Sequence, residues 1–128
     1  MKKRILPVRV VAVLIMGAGL CATIASANQY KEATLGQKVA NSDEVIIGQV
    51  ASTSQTDCLP SFSCATVNNV KRLKGGEVPQ VVVLFDGPIA EQNPICCKVG
   101  ATYIFFLKHV KAAYYESANG PYGIYQTN

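Results

Sequence analysis

Four cysteines behind an export signal constrain this chain more than any other feature. The N-terminus carries Lys2, Lys3, Arg4 and Arg9, then an apolar run over residues 10–22 followed by Thr23 and Ile24, and then Ala25-Ser26-Ala27. A basic start, a short apolar segment and an A-x-A site form the three-part secretory signal pattern. The apolar run is shorter than the ~20 residues a membrane-spanning helix needs, and Gly17 and Gly19 weaken it further. Leu20 in front of Cys21 is a poor fit to the small residue expected before a lipid-modified cysteine. The pattern therefore predicts a signal peptide over residues 1–27. A single domain over residues 28–128 then functions in the periplasm or is secreted, and the short basic leader is of bacterial type.

Cleavage changes the charge balance. Four of the twelve basic residues lie in the leader, which leaves eight basic and eight acidic side chains and a net charge of zero. The basic character belongs to the leader, so no nucleic-acid partner is expected. A domain of about 100 residues buries only a modest core, and crosslinks commonly supplement it. Cys58, Cys64, Cys96 and Cys97, an even set in an oxidising compartment, predict two disulfides. Their spacings are C-x5-C and C-C, and His109 is the sole histidine, so neither a zinc site nor another cofactor is expected.

Leu35 and Val39, four apart, and Thr34 as a cap predict a short helix within residues 29–40. Residues 44–52 (EVIIGQVAS) read as a strand. Residues 64–73 resume with Ala65, Val67, Val70 and Leu73, where the odd spacing from Val67 to Val70 calls for a bulge at Asn68-Asn69. Lys74-Gly75-Gly76 is a turn, residues 81–85 are an unbroken apolar strand expected to be buried on both faces, and residues 102–107 (TYIFFL) form the strongest strand. The turn at 118–121 precedes a last strand near 122–125. Five short strands with turns between them predict an all-β domain, a small barrel or sandwich.

The runs "SDEVIIGQV", "VNNVKRLKGG" and "CCKVGATYIFFL" resemble the netrin-like domain shared with tissue inhibitors of metalloproteinases. The likeness covers residues 42–107 and implies a small five-stranded OB-like barrel, here with a short N-terminal helix and two disulfides. Those inhibitors chelate a protease zinc through an N-terminal cysteine. The expected N-terminus here is Asn28, and no cysteine precedes Cys58, so the resemblance implies the fold and not the inhibitory activity. In such a barrel the first and fourth strands are antiparallel. That adjacency implies that both disulfides cross between segments, Cys58–Cys96 with Cys64–Cys97 or the reverse. A bond between Cys96 and Cys97 is the strained alternative.

Catalytic constellations are thin. A Ser/His/Asp set would have to use His109, which follows the TYIFFL strand with no G-x-S-x-G nearby. Asp57, Asp86 and Glu91 offer no spacing that selects a glycosidase pair. Lys71-Arg72-Leu73-Lys74 reads as a solvated turn flank. The expected function is therefore non-enzymatic: an exported domain that binds a protein or envelope component. The alternative is a small-ligand or saccharide module using Tyr114, Tyr115, Tyr122 and Tyr125 as a C-terminal aromatic face. A secreted hydrolase is the third option, and it lacks a visible base.

Overall fold

A computed structural model describes residues 30–77 and 80–127, so the expected signal peptide and its cleavage point lie outside the described residues. Helix α1 (Leu35–Asn41) leads into β1 (Glu44–Ser54), β2 (Ser63–Lys74), β3 (Val81–Asp86), β4 (Thr102–Lys111), β5 (Tyr114–Ser117) and β6 (Ile124–Gln126). Single 3-10 turns occupy Ala90–Gln92 and Gly120–Tyr122. The strands pair in the order β1-β2-β3-β5-β4, and antiparallel pairing of β1 with β4 closes the ring. Only β3 and β5 run parallel among these pairings. This is a closed five-stranded OB-like barrel with one short helix. The strand expected near the C-terminus is not its fifth member. Tyr114–Ser117 closes the barrel, and β6 adds outside the ring along β4.

Period-two alternation fills the interior. Ile46 and Val50 of β1, Val81 and Val83 of β3, and Tyr103, Phe105 and Leu107 of β4 all point into one core. Three of the five residues of the apolar run in β3, Val81, Val83 and Leu84, are buried, and Val82 and Phe85 are half-buried. Gly48 lies between Ile46 and Val50, and a Cβ there would overlap Val67 Cγ1. One extra β2 residue falls between the pairs Gln49↔Asn68 and Ile47↔Lys71, which is the bulge that the Val67–Val70 spacing requires. Outside the ring, Val45 and its cross-strand partner Phe106 are also buried. The Tyr125 ring meets Phe106 edge-on at 6.5 Å between centroids.

Helix α1 begins with a capping box. The Gln37 amide donates to Thr34 Oγ1 at 3.2 Å, and the Thr34 amide donates to Gln37 Oε1 at 2.9 Å. Its burial is the reverse of a usual amphipathic helix. Leu35 and Val39 are 68% and 38% exposed, whereas Lys38 is buried.

The crossed disulfides are not formed. Cys58 bonds Cys64 across a Cα–Cα distance of 6.0 Å, and Cys96 bonds its neighbour Cys97. The strand adjacency behind the crossed pairing is nevertheless present, because Gln49 pairs with Thr102. What differs is reach. The segment before β4 is tied at Val50, whose amide donates to the Ala101 carbonyl while the Gly100 amide donates to the Val50 carbonyl. From there β1 runs on to Ser54, roughly 13 Å further at ~3.3 Å per residue, before the chain turns toward Cys58. Cys97 is meanwhile drawn into the core.

Candidate functional site

A concavity lies where β3 and β5 end, and two aromatic rings line it. Phe62, just ahead of β2, lies against Gly87, where a Cβ would come within 2.5 Å of the ring. Tyr30 lies against Gly120 in the same way, at 2.8 Å. Gly120 has φ +51°, a left-handed conformation that favours glycine. Each glycine precedes a proline, Pro88 and Pro121, and the Gly-Pro dipeptides mark the two turns against which the rings lie. Leu84, Pro88, Ile89 and Pro94 supply the apolar lining; Gln92, Asn93, Glu116 and Ser117 supply the polar lining, around a volume of about 100 Å³.

Local hydrogen bonds hold this frame. Asn93 Oδ1 accepts from the Gly87 amide at 3.0 Å, and its Nδ2 donates to Asp86 Oδ1 at 3.0 Å. Ser117 Oγ donates to the Gly120 carbonyl at 2.5 Å. Tyr30 arrives on an N-terminal strap. The Ala33 amide donates to Asn119 Oδ1 at 2.8 Å, and Asn119 Nδ2 donates to the Lys31 carbonyl at 3.2 Å. Buried Lys38 anchors the strap by donating to Glu32 Oε1 at 3.1 Å and to the Tyr125 hydroxyl, which itself donates to Glu32 at 3.1 Å. Burial disfavours the Lys38 charge, but the bonds to Tyr125 and Glu32 outweigh it and raise its pKa above the ordinary lysine value. The bonds from Lys38 and Tyr125 hold the Glu32 carboxyl below its usual range.

The four C-terminal tyrosines do not converge. Tyr115 is in the core, where burial foremost, with the nearby Glu44 charge, raises its pKa. The Tyr114 hydroxyl reaches the Asp57 carbonyl at 3.5 Å, Tyr125 is engaged with the strap, and Tyr122 is half-buried in its 3-10 turn. His109 stands at the β4–β5 turn, its Nε2 donating to the Ala112 carbonyl at 2.7 Å and its ring 5.3 Å from that of Tyr115. Asp43 Oδ2 accepts from the His109 backbone amide and not from the ring. Asp57, Asp86 and Glu91 sit respectively in the β1–β2 loop, at the end of β3 and in the Ala90–Gln92 turn. The basic run is not simply a solvated flank, because Arg72 Nε donates to buried Glu44 at 2.7 Å and Lys74 Nζ donates to the Val39 carbonyl at 2.8 Å. Among the described residues no group of three or more His, Cys, Asp and Glu side chains is placed to hold a metal.

Sequence reasoning missed Tyr30, Phe62 and Glu116, which come from three distant segments without a shared motif. The legible signal was the pair of Gly-Pro dipeptides. Together the barrel and its pocket define an OB-like domain with a small aromatic-walled recess at one rim. No family model matches this chain, and no curated protein or solved structure matches it either.

Proposed function

We propose that the protein is an exported, non-enzymatic binding domain that docks a protein partner through the connection between β3 and β4. One observation carries this: Ile89, Ile95 and Val99 stand 50%, 86% and 56% exposed on that single connection. Its foot is fixed, since Cys97 is in the core and Cys96 packs against it, so Ile95 projects from a rooted base. Fully burying one such side chain stabilises a complex by about 1.5–3 kcal/mol, so three on one loop make a credible contact centre. The absence of a membrane-length apolar helix among the described residues, together with the disulfides, is compatible with export. Kinship with the netrin-like family belongs to the same proposal and rests on the runs within residues 42–107.

A photo-crosslinking residue at position 95, in protein exported by its native host, tests the reading. The expected result is one dominant protein adduct that disappears when Ile89 and Val99 are both replaced by Asp. Adducts that are equally abundant from a probe at exposed Lys111 would refute a docking surface on this loop.

A further inference from the structure

We infer that the rim pocket receives one cationic side chain, lysine or arginine, from that partner. The inference rests on the protein-docking reading above and adds the chemistry of its recess. Size favours a small inserted group. A volume of about 100 Å³ is well below the ~300–1,000 Å³ of pockets that enclose a drug-sized molecule, and it suits one side-chain head group.

Charge and surface then select the head group. The Tyr30 and Phe62 rings line the recess, and aromatic rings attract cations. Among the described residues, Glu116 is the only ionisable acid or base on the lining apart from the Tyr30 phenol, and no lysine, arginine or histidine lines the recess. Glu116 is exposed, and no ion pair joins it to Lys108, its register partner on β4. An apolar plug would cover that carboxylate without giving it a partner, which is costly. An ammonium or guanidinium satisfies the carboxylate and the rings together. Gln92, on the opposite connection, adds an amide acceptor.

Amide NMR spectra of the mature exported protein provide the test, using capped tripeptides with a central Arg, Lys, norleucine or Glu, and free choline as a small-molecule cation. The Arg and Lys peptides are expected to shift Gly87, Gln92, Glu116 and Gly120 saturably. Glu116→Gln and Phe62→Leu should each weaken that binding about fivefold with the rest of the spectrum unchanged. Equal shifts from norleucine would overturn the cation assignment. Tighter binding of choline than of either peptide would overturn a partner side chain as the occupant. No shift from any probe would overturn the pocket as a receptor. None of these outcomes involves Ile95, so each is separable from failure of the docking surface, which the crosslink reads.

Discussion

Local pairing of the cysteines makes a quantitative prediction about stability. Cys58–Cys64 closes a loop of seven residues, counting both ends, and Cys96–Cys97 joins neighbours. The chain-entropy relation gives about 2.4 kcal/mol for a seven-residue loop and about 1 kcal/mol for adjacent residues. Crossed bonds spanning some 35 residues would each give about 4 kcal/mol by the same relation. A Cys58→Ala/Cys64→Ala variant should therefore lose about 2–3 kcal/mol in urea unfolding, including a small loss of packing at Cys64. Cys96→Ala/Cys97→Ala should lose about 1–2 kcal/mol, part of it from the cavity at buried Cys97. A domain with ~5–15 kcal/mol of stability survives either change, so both variants are measurable. Non-reduced tryptic digestion gives an independent reading, because Lys71, Arg72 and Lys74 separate the two pairs. Peptides 39–71 and 75–98 should appear unlinked, each two hydrogens lighter than its reduced form. A single covalently joined species, or a loss near 4 kcal/mol from either variant, would refute local pairing.

Four further outcomes follow from the packing. Gly48→Ala should destabilise by about 1–3 kcal/mol, because its methyl overlaps Val67 and comes within 3.2 Å of the Asn68 carbonyl oxygen. Gly36→Ala on α1, with open space around it, should instead stabilise by about 0.5–1 kcal/mol; urea midpoints at constant slope check both. Arg72→Met should cost about 3 kcal/mol by leaving Glu44 buried without its partner, and Glu44→Gln in the same chain should restore most of it in a double-mutant thermal series. Glu32, whose pKa is lowered, supports the strap above the ordinary carboxylate range and loses that support as pH falls through its depressed value. Lys38, whose pKa is raised, supports it below the ordinary lysine range and loses that support as pH rises through its elevated value. Hydrogen exchange at the Ala33 amide should thus be slowest between those limits after correction for intrinsic rates, and Glu32→Gln should remove the acid limb.

What the sequence revealed, and what it hid, follows from how local each signal is. The strands at 44–52, 64–73, 81–85 and 102–107 carry their own alternation or apolar runs, and the bulge was legible because Val67 and Val70 cannot share a face without one. The Thr34–Gln37 cap is likewise a four-residue signal. β5 was missed because Tyr114–Ser117 spans only four residues, and its place is set by pairing with β3 and β4. The helix was correctly placed, but which of its faces turns inward depends on Glu32 and Tyr125, the latter 87 residues from Lys38. The disulfide pairing failed for want of one register length, the extension of β1 past Val50. Adjacency of strands is topological and can be anticipated, whereas the overhang of one strand beyond another depends on hydrogen-bond register across the sheet.

The pocket, finally, is where the barrel's connectivity requires a gap. Antiparallel neighbours send their chains off at opposite rims, so consecutive loops alternate between the two ends. β3 and β5 are the one parallel pair in the ring, and Leu84 lies level with Glu116. Both strands therefore end at the same rim, and their outgoing connections, 87–101 and 118–123, start there side by side. Two chains leaving together cannot pair with each other, since each has to turn toward β4 or β6. Glycine lets each backbone turn away while a ring from elsewhere packs closely against it. Phe62 covers the first exit and Tyr30 the second. The space left between them is lined by the side chains that the end of β5 contributes, Glu116 and Ser117, of which Glu116 carries the charge. The acidic, aromatic-walled recess thus follows from strand order, with its chemistry set by Tyr30, Phe62 and Glu116.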